Sequence, residues 1–180
     1  MKENEKVIRS SFWANLFKSP TDKSDLQEIL TTIPMFAQMS KKDLSPLFNI
    51  IHNRSYVKGE YIFHQGDPGI GLYIIREGEV RIERKVESSE NISLAKFKVG
   101  DFFGELALVD DERRSASAIA DSDVKLAVIF KPDLDEFILH FPKRGVKILQ
   151  GISHVSAVRL RQLNEENIKL QTIIKKHSEN

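Results

Sequence analysis

The chain of 180 residues contains no cysteine. Without a thiol there is no disulfide, no thiolate zinc site, no cysteine-ligated iron–sulfur cluster and no cysteine nucleophile. An excess of one charge is missing too: 27 Lys and Arg stand against 26 Asp and Glu, a formal balance of +1. The chain has no global field for gripping a phosphodiester backbone, so direct nucleic-acid binding is not expected. Nowhere does an apolar run approach the ~18 residues of a membrane span. The start, with Lys2, Glu3, Glu5 and Lys6, lacks the apolar stretch of a secretory leader. A cytoplasmic protein without a transmembrane segment is expected.

Glycine is absent from both ends. All nine lie between Gly59 and Gly151, seven of them between Gly59 and Gly104, so the sharpest turns concentrate in the middle. Hydrophobic residues at 41% and charged residues at 29% are globular proportions, which predicts one folded domain with a long appendage. Ser24 with Gln27, and Ser40 with Asp43, resemble capping boxes that open two short helices joined around Pro34. The apolar sets are Leu26, Ile29 and Leu30, then Leu44, Leu47, Phe48 and Ile51.

From Ser55 to Phe130 the period shifts toward two. Short β-rich runs, Tyr61–Phe63, Leu72–Ile75, Val80–Val86, Ile92–Phe97, Ala116–Ala120 and Val124–Phe130, are punctuated by glycine turns. Their spacing of about ten residues predicts a compact antiparallel barrel or sandwich. Pro132, Asp133, Asp135 and Glu136 open another helix ending near Pro142. A long final helix follows. Leu149, Ile152, Val155, Leu160, Leu163, Leu170, Ile173 and Ile174 recur at three- and four-residue steps, with a charge ladder of Arg161, Glu165 and Lys169 opposite.

Residues 103–118 interrupt the β pattern with Phe-Gly-Glu-Leu-Ala-Leu-Val-Asp-Asp-Glu-Arg-Arg-Ser-Ala-Ser-Ala. A glycine that opens a short helix leaves free backbone N–H groups aimed at an anion, and a later arginine can return as a bidentate partner. Glu105, beside that glycine, is suited to accept hydrogen bonds from a sugar hydroxyl. The combination asks for a phosphorylated nucleoside.

This segment resembles the phosphate-binding cassette of cyclic nucleotide-binding domains, the regulatory module of the catabolite activator family, cyclic-nucleotide-dependent kinases and cyclic-nucleotide-gated channels. The likeness continues through Ile33-Pro34-Met35-Phe36, Gly59-Glu60-Tyr61-Ile62-Phe63, Gln65-Gly66-Asp67, Leu72-Tyr73-Ile74-Ile75, Glu77-Gly78-Glu79-Val80 and Gly100-Asp101-Phe102-Phe103-Gly104-Glu105-Leu106, covering roughly residues 30–142. It implies an α+β fold: an antiparallel double-stranded β-helix, or β-roll of the jelly-roll kind, between N-terminal helices and a long C-terminal helix. It divides the chain into an amphipathic extension (1–23), a binding domain (24–142) and a lid or dimerisation helix (143–180).

The resemblance gives Glu105 the ribose 2′-hydroxyl and Arg114 the cyclic phosphate, with cassette lining from Phe103, Gly104, Leu106, Ala107, Ser115, Ala116 and Ser117. The family's arginine stands ten positions after its glycine, which selects Arg114 over Arg113. Ile70 and Gly71 depart from it at a turn where polar residues are common, and Asp110-Asp111-Glu112 makes the loop unusually acidic. Arg159, Arg161 and Asn164, within a lid segment from Ile152 to Leu163, are candidates for the base edge. The implied ligand is cyclic AMP or cyclic GMP, and no cofactor or metal is expected.

The five histidines show no ligand spacing, which disfavours a cupin-like metalloenzyme. The missing cysteines disfavour haem and iron–sulfur sensors of the same superfamily. No helix-turn-helix module follows the long helix before Asn180. A non-enzymatic sensor is expected, acting through an effector protein in trans and a parallel homodimer through residues 149–174, with Asn167 at a core position of the helix pair. A domain that keeps the fold without the ligand, serving as an interaction module, is the alternative. The stretch Val7 to Lys18, with Phe12, Trp13 and Phe17, is expected to pack on the roll or a dimer mate rather than on a membrane.

Overall fold

The computed structural model describes residues 23–86 and 91–178. Residues 1–22, with the expected amphipathic stretch, lie outside the described residues. In chain order the elements are α1 (Lys23–Thr32), α2 (Lys41–Leu44), β1 (Ile51–Tyr56), β2 (Tyr61–Phe63), β3 (Gly71–Glu77), β4 (Val80–Arg84), β5 (Ile92–Phe97), β6 (Phe102–Phe103), β7 (Ser117–Ala120), β8 (Val124–Phe130), α3 (Lys131–His140) and α4 (Pro142–Ser178). Short 3-10 turns occupy Pro34–Phe36, Ser45–Asn49 and Glu105–Leu108.

The strands form two four-stranded antiparallel sheets, ordered β1-β8-β3-β6 and β2-β7-β4-β5. The central strands of the first, β3 and β8, are largely buried on both faces, and the alternation of their side chains shows why. Tyr73, Ile75, Leu126 and Val128 point into the roll, while Leu72, Ile74, Ala127 and Ile129 point to the helices. Strands covered on both sides read as near-continuous apolar runs, as 124–130 does. Each fully buried Leu or Ile contributes about 1.5–3 kcal/mol, so this shared sheet holds the roll and the helical layer together.

The helical layer supplies the rest of that core. Leu26, Ile29, Leu30 and Ile33 of the first helix and its exit meet Met35, Phe36, Leu44 and Leu47, then Leu134 and Phe137 of α3 and Ile148, Ile152 and Val155 of α4. The first half of α4 is therefore core rather than appendage, and the expected division after residue 142 runs through packed structure. Gly151 lets α4 approach the turn at Pro34–Phe36, because a Cβ there would collide with the Met35 carbonyl oxygen. The capping box at Ser40 and Asp43 is present. Asp43 also holds α4, accepting from Lys147 Nζ at 2.8 Å and Arg144 Nε at 3.4 Å.

Two expectations need correction. Leu44, Leu47, Phe48 and Ile51 do not share one helix: α2 has four residues, Ser45 and Pro46 open a 3-10 turn, and Ile51 begins β1 opposite Ile129. The apolar stripe of α4 also divides. Its early members are buried, whereas every described residue from Leu160 to His177 is exposed.

Candidate functional site

The site is built where β6 ends. Gly104 takes φ +78°, a left-handed turn that suits glycine, and opens the four-residue 3-10 turn Glu105–Leu108. One turn carries little macrodipole, so what this backbone offers an anion is its unpaired N–H groups. The expected cassette thus exists as a tight turn rather than a helix.

Arg114 returns to that turn from the far end of the loop. Its Nη2 donates to the Gly71 carbonyl at 2.8 Å and its Nη1 to the Gly104 carbonyl at 3.3 Å. The guanidinium carbon lies 4.3 Å from the centre of the Phe63 ring and 5.5 Å from that of Tyr73. The residue is 8% exposed, and its Nε is buried without a partner. Among the described residues no carboxylate comes within ion-pair distance of it. Burial pushes its pKa below the usual guanidinium value. A buried cation held by carbonyls, rings and the Tyr73 hydroxyl, with no paired carboxylate, is incompletely compensated, and its orphaned donor suits an anion.

Backbone pairing sets this geometry. Arg114 N donates to Asp67 O and Gly66 N to Arg114 O, both at 2.8 Å, clamping the arginine to the turn after β2. Gly69 faces Ala107 so closely that a Cβ would sit 2.9 Å from the alanine Cβ. Lys131 pins the acidic loop from outside, its Nζ 3.0 Å from the Asp110 carbonyl and 2.6 Å from Asp111 Oδ1. The neighbouring carboxylate raises its pKa.

Arg114 borders a pocket of about 330 Å³, at the small end of the ~300–1,000 Å³ range for ligand sites. Phe63, Ile82, Ala95, Phe97 and Phe103 form an apolar wall. Phe103 stacks on Tyr73 and Phe97 at centroid distances of 5.2 and 5.9 Å. Gly104, Glu105, Leu106, Ala107, Ser115 and Ala116 line the same space. Ser117 does not: its hydroxyl accepts from Gln65 N, and it lines a separate cavity of about 510 Å³ beside Tyr61 and His64. Arg113 reaches the rim but donates outward to the Gly66 carbonyl at 2.7 Å.

Of the three helix candidates, only Arg159 reaches the pocket, and it engages Glu105 there rather than open space. Arg161 and Asn164 are exposed and do not line it. Sequence reading missed Phe63 and Tyr73 beneath the guanidinium, the Gly71 carbonyl and Lys131. The alternation of aromatics in β2 and β3 was the available signal for the two rings. The carbonyl carries no side-chain signal at all.

A roll whose pocket joins a cradled arginine to a buried carboxylate and an apolar wall has the chemistry to seat a small anionic molecule. Residues 53–141 match the family described as the cyclic nucleotide-binding domain. The chain contains such a domain, related to cyclic AMP receptor proteins and to regulatory subunits of cyclic-AMP-dependent kinases. It is 30% identical over 78% of its length to the cyclic AMP receptor protein of Thermus thermophilus, spanning 62% of that protein. Identity reaches 34% with a cAMP-dependent protein kinase regulatory subunit of Hypocrea atroviridis, over 58% of this chain and 22% of that one. A solved cyclic nucleotide-binding domain from Methylobacillus flagellatus is 25% identical with a TM-score of 0.71, covering 79% of this chain and 80% of that one. The chain thus spans less than two thirds of either curated relative. What it shares with them is a regulatory binding domain, not a catalytic one. No helix among the described residues is long and apolar enough to cross a membrane.

Proposed function

We propose that the chain is a cytoplasmic sensor that binds cyclic AMP or cyclic GMP. The observation that carries this reading is Arg114, a buried guanidinium with an orphaned Nε at the end of a pocket of nucleotide size. The cyclic phosphate takes Arg114 and the backbone N–H groups of the turn from Gly104 to Ala107. The sugar hydroxyl takes Glu105, and the base lies along Ile82, Ala95 and Phe97. Ser115, at the phosphate end, offers a hydroxyl to either nucleotide. Output passes through α4, a parallel homodimer formed by the exposed part of the expected stripe, residues 160–174, and an effector protein in trans.

Calorimetric titration of the full chain with cyclic AMP, cyclic GMP and cyclic di-GMP tests the reading. Saturable binding of one of the two mononucleotides is expected. Heats no larger than those of dilution with both would leave only a fold used as an interaction module.

A further inference from the structure

The loop that closes the cassette brings carboxylates near a buried cation that has none. Asp110 and Glu112 border the same pocket as Arg114, Asp110 half-buried and Glu112 exposed. Among the described residues no cation forms an ion pair with either carboxylate. Burial lowers the pKa of Arg114, and the charge of Asp110 is among those opposing that fall. An arginine fork that suits a phosphate also suits a carboxylate. The chain therefore carries, at the rim of its own anion seat, two groups able to occupy it.

Lys131 holds the loop from the other side. It opens α3 and does not line the pocket. Its Nζ donates to the Asp110 carbonyl at 3.0 Å and to Asp111 Oδ1 at 2.6 Å. Its backbone N–H donates to the Ile70 carbonyl at 2.9 Å, next to the Gly71 carbonyl that takes Arg114. Among the described residues no other side chain hydrogen-bonds to residues 109–112 from outside the loop. The Lys131 side chain is 24% exposed and that of Asp111 96%, so the ammonium is the fixed member of the pair and the loop the movable one.

We propose that Lys131 is a positioning residue that keeps the acidic loop off the phosphate seat: once its tether is cut, a carboxylate of Asp110 or Glu112 closes on Arg114 and competes with the ligand. This role rests on the cyclic-nucleotide reading and adds to it a residue that never touches the nucleotide. Apparent affinity falls in proportion to the fraction of chains whose seat remains open. An Arg114 paired with its own loop is also better compensated than an orphaned one. Losing the tether therefore weakens binding without weakening the fold.

Calorimetry with cyclic AMP and cyclic GMP, and thermal melts without them, test this on the full chain. The variants are Lys131→Gln, Lys131→Arg, and Lys131→Gln again in an Asp110→Asn/Glu112→Gln background. Lys131→Gln should bind the preferred nucleotide about three- to thirtyfold more weakly than wild type, as expected of a charge-assisted pair only partly out of water, while its melting temperature holds. Lys131→Arg, which keeps the charge and the donors, should recover most of the affinity. In the background without the two pocket carboxylates, Lys131→Gln should change affinity by less than about twofold, since no competitor remains. Equal affinity of Lys131→Gln and wild type overturns the role given to Lys131. So does a loss that persists undiminished in the neutralised background, or one accompanied by a fall in melting temperature, since either makes Lys131 a support of the fold alone. No binding of either nucleotide to wild type overturns the functional reading itself, and the part of Lys131 with it.

Discussion

A guanidinium held by two carbonyls and two aromatic rings is costly to keep in a fold unless an anion comes to it. Removing it should therefore affect binding far more than stability. Arg114→Ala is expected to lower nucleotide affinity by several kcal/mol, since a desolvated phosphate loses its bidentate partner, while Arg113→Ala leaves affinity nearly unchanged. Titrations of the two variants side by side decide this, and equal small losses would remove Arg114 from the site. Gly104 offers a second residue-scale test. A Cβ there would stand 2.8 Å from Arg114 Nη1 and 3.0 Å from the Gly71 carbonyl, on a backbone at φ +78°. Gly104→Ala should cost about 1–2 kcal/mol in strain and also displace the arginine, so both melting temperature and affinity fall. Gly100 has φ +88° with nothing within 4 Å of a Cβ, so Gly100→Ala should lower stability without touching affinity. If both variants bind normally, the tight seat of Arg114 is not what holds the ligand.

Among the elements, those with a strong periodic signal were legible and those made by tertiary contact were not. Val124–Phe130 could be read as a strand because a sheet covered on both faces leaves an apolar run. Ile51–Tyr56 could not: its interior, His52-Asn53-Arg54-Ser55, looks like loop, and only pairing with β8 makes it a strand. Phe102–Phe103 is too short to show a period. The cassette stood out through its glycine, acid and arginine, whereas the contact of Arg159 with Glu105 depends on a helix crossing 54 residues away in sequence. Asp43 is a further tertiary tie that acts between elements. Hydrogen bonds from Lys147 first, then from the Ser40 backbone and hydroxyl, hold its carboxyl well below the usual carboxylate range. A carboxyl with a depressed folded pKa contributes stability above its unfolded value, near 3.8, and that contribution is lost as pH falls. Thermal melts of wild type and Asp43→Asn should therefore differ most above about pH 5 and converge toward pH 2. Parallel curves at all pH values would mean that Asp43 does not tie α4 to α2.

At the scale of the whole molecule, α4 outruns the body it packs on. From Leu160 to His177 its described side chains are all exposed, about 27 Å of helix at 1.5 Å per residue. A helix of that length is marginal in water unless its apolar face is covered. Leu160, Leu163, Leu170 and Ile174 are 60, 61, 59 and 66% exposed on the described chain. They fall at alternating three- and four-residue steps once Asn167 is included, which is the seam of a two-stranded coil with a polar residue at one core position. A second copy in parallel would cover Leu on Leu and pair Asn167 with its counterpart. We therefore expect sedimentation at tens of micromolar to give twice the 20.6 kDa chain mass. Leu163→Glu should convert that species to a single subunit while the roll, whose core lies upstream of Leu160, still melts cooperatively. Asn167→Leu should raise the melting temperature yet broaden the distribution of oligomers, because the buried amide restricts register at a cost in stability. A single-subunit mass for wild type would overturn the pairing.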